Sequence, residues 1–253
     1  MLTAAMAFAA MSALMKKAGE AFSFGQVVFF RGLVAFAIIT TIVKVRRIPG
    51  GVNKPGLFAR SLFGVIAIFM YVWAIVNIDL GLASGLNQSS PLFVVLLSGL
   101  LLGERPGWLL TVLVFLAFGG AVLIISPDLS TVSVDALLGL GSALFAALAY
   151  IMVRRLRATE RPERIVQWFA GWTSLAAFPV MLYLGFDLPS LEQWAVLIGL
   201  GFFGVVGQIF LTQAYRFGEA AVVSPFLYFS VLLNFAIGWW FWGEMPDSHG
   251  LFG

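Results

Sequence analysis

The sequence predicts an all-α integral membrane protein with about nine transmembrane helices, and three observations carry that expectation. The 253 residues are 61% hydrophobic and only 11% charged, with mean hydropathy +1.00. A soluble domain carries roughly 25% charged residues to solvate its surface, so lipid has to be the solvent here. Apolar stretches close to the ~20 residues needed to cross ~30 Å of hydrocarbon recur along the whole chain. Two passages also nearly repeat: Gly103-Glu104-Arg105-Pro106 and Gly243-Glu244-Met245-Pro246 each close a long apolar run.

The nine spans run approximately 2–16, 24–43, 57–76, 82–102, 107–125, 136–153, 165–185, 193–212 and 222–242. Backbone polar groups find no partner in lipid, so each is expected to be a helix. The first is short and lacks the basic n-region and cleavage site of a secretory signal, so it reads as a retained helix. The second carries Arg31, and the third carries Tyr71, Trp73 and Asn77. The fourth holds Asn87, Gln88, Ser90 and Pro91 and ends at the first Gly-Glu passage. The seventh contains Pro179, the eighth a Gly201, Gly204, Gly207 stripe, and the ninth Pro225, Tyr228, Ser230 and Asn234 before the second Gly-Glu passage. The prolines permit kinks, and the glycines suit close helix packing.

Cations orient the spans. With the N-terminus cytoplasmic, the inner loops hold Lys44, Arg46, Arg47, Lys54, Arg60, Arg105, Arg154, Arg155, Arg157, Arg161, Arg164 and Arg216, twelve of the fifteen basic residues. That is a strong positive-inside bias. It explains the net charge of +3 without nucleic acid, which is not an expected partner. Lys16 and Lys17 stand alone at the outer side, placed to snorkel at the interface. The inner membrane of a cell is the expected location.

An offset of 140 residues pairs Glu104 with Glu244, Ser84 with Ser224, Ala74 with Ala214 and Ser90 with Ser230. Earlier in the halves an offset of 137 matches Phe8-Ala9-Ala10 with Phe145-Ala146-Ala147 and Lys17 with Arg154. The chain therefore divides into repeats at 1–127 and 135–253. Five helices is an odd number, so the second copy is expected to enter the membrane upside down, the plan by which many secondary transporters make two gates around one path. The counterpart of the fifth span falls beyond residue 253, leaving the second half one helix short. Either the gene ends there or the sequence is a fragment, the second being the reading adopted.

At these residues the chain resembles the EamA family of the drug/metabolite transporter superfamily. The resemblance covers essentially the whole chain. It rests on Pro91-Leu92-Phe93 running into Leu101-Leu102-Gly103-Glu104, on Ser224-Pro225 running to Gly243-Glu244, and on Arg31-Gly32. It implies ten helices with both termini cytoplasmic and carriage of small metabolites, often outward. It also implies a cavity formed by the third, fourth, eighth and ninth helices with help from the first and sixth. The absent tenth helix is the departure.

Polar residues within spans are the candidate cavity set, because hydrocarbon makes them costly unless they face a partner or a path. They are Arg31, Tyr71, Trp73, Asn77, Asn87, Gln88, Ser90, Gln208, Gln213, Tyr228, Ser230 and Asn234. Trp73 and Asn77, one turn apart, share a face. Each has an alternative reading as an interhelical hydrogen bond, and Arg31 reads equally as a tether to a neighbouring helix. Gly-Glu-x-Pro reads first as a helix stop. No acid sits in mid-span, which favours facilitated diffusion or exchange over proton coupling.

The leading function is a secondary transporter of small organic metabolites, working by alternating access and directed outward. The alternatives are a non-transporting helical scaffold and an intramembrane enzyme. With no Cys and one His, His249, the enzyme lacks a nucleophile–base pair or metal site. No cofactor or metal is expected. The partners are the small-molecule substrate and the bilayer, with the protein a monomer or homodimer.

Overall fold

The computed structural model describes residues 1–103, 107–125 and 133–244. Glu104, Arg105, Pro106, Met245, Pro246 and His249 lie outside them. The described residues are helical throughout, and a helix begins or ends near every expected span boundary. These helices are α1 (Leu2–Gly19), α2 (Phe24–Val45), α3 (Lys54–Asn77), α4 (Leu80–Asn87), α5 (Ser90–Leu102) and α6 (Trp108–Ile125). They continue as α7 (Val134–Leu156), α8 (Pro162–Leu184), α9 (Leu191–Phe217), α10 (Ala220–Val223) and α11 (Phe229–Trp242), with a 3₁₀ turn over Ser224–Tyr228 between the last two. Among the described residues, seven segments are long and apolar enough to cross a membrane: α2, α3, α4 with α5, α7, α8, α9, and α10 with α11. The chain is a multi-pass integral membrane protein. At 18 residues each, α1 and α6 measure about 27 Å and fall where the other two spans are expected.

Short polar residues start the helices. Ser23, Asn53 and Ser133 accept from the N–H of Gln26, Gly56 and Ala136, and Ser190 with Gln193 forms a reciprocal capping box on α9. These caps satisfy donors that the helix cannot. Glycine ends two of them: Gly103 after α5 and Gly243 after α11 adopt left-handed φ of 69° and 67°, which is the stop role expected of the Gly-Glu passages.

Antiparallel pairs make the bundle. Along α2 and α8, Gly25 faces Val180 and Met181, Gly32 faces Ser174, and Phe36 faces Gly171. The seam is continued by a Gln167–Thr40 hydrogen bond of 3.0 Å and an Arg46–Glu163 ion pair of 3.4 Å. The α3 and α7 helices run the same way, with Met70 against Gly141, Phe63 against Phe145, and Gly56 against Leu156. So do α1 and α9, through Phe8 with Gly207 and Leu14 with Gly199. Under the expected repeat correspondence α2 pairs with its own counterpart, and the α1–α9 contact maps onto the α7–α3 contact.

Two spans are broken rather than merely kinked. Between α4 and α5 the chain turns at Gln88 and Ser89 and restarts with Pro91 in the first turn. Between α10 and α11 the 3₁₀ turn carries Pro225. Pro179, by contrast, sits within continuous α8. Non-helical backbone at membrane depth is tolerated where it is buried in protein or lines a cavity, and both breaks lie beside the cavity described next.

The glycine seams set a stability test. A Cβ at Gly32 would lie 2.6 Å from the backbone nitrogen of Ser174, an atom that cannot swing aside. Gly32→Val is expected to cost about 1–3 kcal/mol and to lower the melting point of the detergent-purified protein. Gly50→Ala, with nothing within 4 Å, should leave it unchanged. Equal melting points for the two variants contradict the packing described here.

Candidate functional site

A cavity lies midway along the bundle, lined from α1, α2, α3, α4, α7, α8, α9, α11 and the α4–α5 turn. Its floor and walls are apolar around a polar centre: Phe8, Met11, Ala67, Ile68, Ala146 and Ala149 surround Ser12, Tyr71, Asn87, Gln88, Tyr150, Gln208, Ser230 and Asn234. Two arginines complete it, Arg31 from α2 and Arg60 from α3. The volume is about 70 Å³, room for on the order of five waters at ~15 Å³ each. Admitting a metabolite therefore takes movement of the walls.

Most hydrogen bonds around the cavity join residues 1–127 to residues 135–253. Beside the breaks, Gln88 donates Nε2 to the Leu227 carbonyl at 3.1 Å and to Ser230 Oγ, tying the α4–α5 turn to the 3₁₀ turn of the other half. Asn234 donates to Ser84 Oγ at 2.7 Å, Asn87 to Ser142 Oγ at 2.8 Å, and Ser12 shares a 3.0 Å bond with Tyr71. Gln88 Oε1 and Asn234 Oδ1 stay buried without a partner. On the opposite wall Arg60 donates Nη2 to Gln208 Oε1 at 2.8 Å, and its guanidinium carbon stands 4.0 Å from the centre of the Phe169 ring. Arg31 lies 5.4 Å from the same ring, and its Nε meets only the Met11 sulfur at 3.4 Å. A glycine makes the Arg60 pose possible: a Cβ at Gly64 would fall 2.5 Å from Arg60 Nη1.

Seven of the twelve sequence candidates meet in this cavity: Arg31, Tyr71, Asn87, Gln88, Gln208, Ser230 and Asn234. Five do not. Trp73 faces outward, packed on Phe24 and donating to Asp135 at 2.7 Å, and Asn77, exposed, donates to the carbonyl of Trp73. The two do share a face, but it is the wrong one. Ser90 is buried away from the cavity, and Gln213 and Tyr228 are half-buried elsewhere. Arg60, counted among the loop cations, is instead 1% exposed inside α3. Phe169 and Tyr150 were not singled out at all. Arg60 stands seventh in its helix, about two turns beyond the Asn53 cap, and that position was the available signal.

The two ends of the bundle differ. Where α1 stops, Lys16 pairs with Glu244, which also accepts the N–H of Leu80 at the start of α4 at 3.0 Å. Lys16 is thus a tether between α1 and α11, not a snorkelling side chain. Next to it, hydrogen bonds from Lys17 and then Trp242 hold the Glu20 carboxyl below its usual range. At the other end Arg154 donates to the carbonyls of Tyr215 and Arg216, Arg155 to that of Leu101, Arg164 to those of Ile48 and Pro49, and Arg216 to that of Glu160. These arginines are spent on helix ends, which is where the dipole and free carbonyls favour cations.

The description of the EamA-like transporter family matches residues 1–126 and again 134–253. The chain belongs to the EamA-like transporter family. It is 35% identical over 252 residues to a pseudopaline exporter of Pseudomonas aeruginosa, covering 97% of this chain and 87% of that one. It is 29% identical to a riboflavin transporter of Vibrio cholerae over 258 residues, covering 98% and 85%. A chain of known crystal structure superposes with a TM-score of 0.73 at 16% identity, covering 99% of this chain and 91% of its own length, which shows the fold. The protein is a membrane transporter of small metabolites.

The Lys16–Glu244 tether gives this EamA member a testable closure. The chain contains no cysteine, so a single Ser12→Cys reports on cavity access. Adding Glu244→Gln removes an interaction worth about 1 kcal/mol and should raise labelling by a membrane-impermeant maleimide about fivefold. Unchanged labelling shows that the pair does not close that end.

Proposed function

We propose that this protein is a carrier that works by alternating access between two inverted halves, 1–127 and 135–253, rather than a channel, scaffold or enzyme. The observation that carries the reading is the antiparallel α2–α8 seam: corresponding helices of the two repeats run in opposite directions. An axis in the membrane plane relates such halves, and rocking about it opens one face as it closes the other. The broken spans, one per half and bonded to each other through Gln88, stand where such rocking is centred. The cavity lining carries arginine, tyrosine, amide and hydroxyl groups, suited to binding a solute and not paired for acid–base or nucleophilic work.

The orientation follows from charge. Lys44, Arg46, Arg47, Lys54, Arg154, Arg155, Arg157, Arg161, Arg164 and Arg216 all flank one end of the bundle, against Lys16 and Lys17 at the other. The Arg154 end, with the N-terminus, is therefore assigned to the cytoplasm of the inner membrane. Outward transport is the favoured direction, supported by the relative named an exporter. The carrier is a monomer or homodimer, and in either case the lining residues named above belong to a single chain.

Two measurements test this. Val52 and Leu188 are 79% and 85% exposed at opposite ends. In intact cells an impermeant maleimide should label Leu188→Cys and spare Val52→Cys, and the reverse pattern inverts the topology. In proteoliposomes, solute loaded on one side should accelerate entry of labelled solute from the other, and Gln88→Ala with Asn234→Ala should cut that exchange at least tenfold. Flux without such acceleration points to a channel.

A further inference from the structure

We infer that the solute carried through this cavity is an organic anion, bound through a carboxylate or other oxyanion by Arg31 and Arg60 together. This rests on the carrier reading above and names the chemistry of its substrate.

Arg31 and Arg60 are 3% and 1% exposed, and a guanidinium keeps its charge in any such environment. A buried cation ordinarily has a carboxylate or a set of carbonyls to hold it. Neither exists here. Among the described residues no ion pair includes either arginine, and no Asp or Glu lines the cavity. Arg60 Nε and Nη1 are buried with no hydrogen-bond partner, and Arg31 Nε has only a thioether, a weak acceptor. Arg46, Arg154, Arg155, Arg164 and Arg216 at the cytoplasmic end show what a structural arginine looks like in this protein, each donating to carbonyls or a carboxylate.

The shared Phe169 ring does not resolve the deficit. A ring face attracts a cation by about 0.5–2 kcal/mol, well below the several kcal/mol that burying one ion costs, and here two like charges face one ring. An oxyanion placed between them reverses every sign: each guanidinium gains a charge-assisted, fork-shaped contact, and mutual repulsion becomes shared attraction. Gly64 lets the Arg60 guanidinium lie against the Phe169 ring, since a Cβ there would fall 2.5 Å from Nη1. Across the cavity, Gln88 presents the complementary need. The Leu227 carbonyl can only accept, so it fixes Nε2 toward itself and leaves Oε1 as an unpartnered acceptor. A solute with an oxyanion at one end and an N–H or O–H at the other, such as an amino or hydroxy acid, satisfies both walls.

The test uses the complete chain in proteoliposomes, with labelled glutamate, succinate, glycerol 3-phosphate, glucose, riboflavin and putrescine in exchange assays. Exchange of glutamate or succinate, reduced at least tenfold by Arg60→Gln and partly kept by Arg60→Lys, establishes carboxylate recognition. The same pattern for glycerol 3-phosphate alone establishes a phosphate as the oxyanion. Exchange confined to glucose, riboflavin or putrescine overturns the inference and leaves the carrier reading intact, whereas no exchange of any of the six overturns both. A second readout needs no substrate. Replacing an unsatisfied buried cation should raise the melting point of the purified protein, so Arg60→Met and Arg31→Met are expected to melt several degrees higher than the parent. A fall in both shows that the arginines hold the bundle together, and the inference is wrong.

Discussion

Hydrocarbon offers no hydrogen bonds, and that single constraint decides which irregularities this chain can keep. A backbone N–H or carbonyl left unpaired in lipid costs several kcal/mol, so the lipid-facing stretches are continuous helices with capped ends. The two places where a span breaks, at Gln88–Ser89 and at Ser224–Tyr228, are both turned inward. There the released polar groups find each other: the Gln88 side chain bridges to the Leu227 carbonyl and Ser230. The breaks therefore stabilise one another only while the two halves are in contact. That makes them a joint rather than a defect, and it locates the joint beside the cavity.

The remainder of the scaffold is held by close approach. Along α2 and α8 the backbones are near enough that Gly25 and Gly32 have no room for a side chain, and Gly201 and Gly207 let α9 sit against Val34 and Phe8 in the same way. Dispersion contacts at such seams are numerous and short-ranged, so these pairs move as units. Polar ties at the bundle ends are of another kind. Lys16–Glu244 is one ion pair joining α1 to α11, cheap to break compared with a glycine seam. A rigid middle with separable ends is what rocking between two open states requires.

How much of this was legible in the sequence depends on the kind of signal. Span positions and the Gly-Glu stops were legible because each repeats or extends over many residues. The cavity was only partly so. Asn87 and Gln88 sit at a span break and Ser230 just after one, where polarity and position agree, and these residues with Asn234 do line the cavity. Trp73 and Asn77 looked equivalent to them by polarity, yet helix rotation turns Trp73 to Asp135 and leaves Asn77 exposed on the Trp73 carbonyl, outside the cavity lining; in spans apolar on every face, periodicity gives no rotation to read. Arg60 was missed for a geometric reason. A cation within the first two turns of a helix resembles a boundary residue in the sequence, and only the packing of Gly64 and Phe169 reveals that its long side chain runs inward.

That missed residue also separates two properties that the repeat would otherwise merge. Neither repeat offset places a basic residue opposite Arg31 or Arg60: the positions reached are Trp168 or Gly171, and Leu197 or Leu200. The charge that lines the cavity thus comes from residues 1–127 alone. On the proposed reading of two inverted halves, symmetry of the backbone would let both faces open by equivalent motions. Asymmetry of the charge would then have the solute held by one half and merely enclosed by the other. The second half contributes Phe169 as a ring face and Gln208 as an acceptor, groups that orient the guanidiniums without neutralising them. Rocking then changes which end admits water while the charged wall travels with its own half, so the affinity site need not be rebuilt on each face of the membrane.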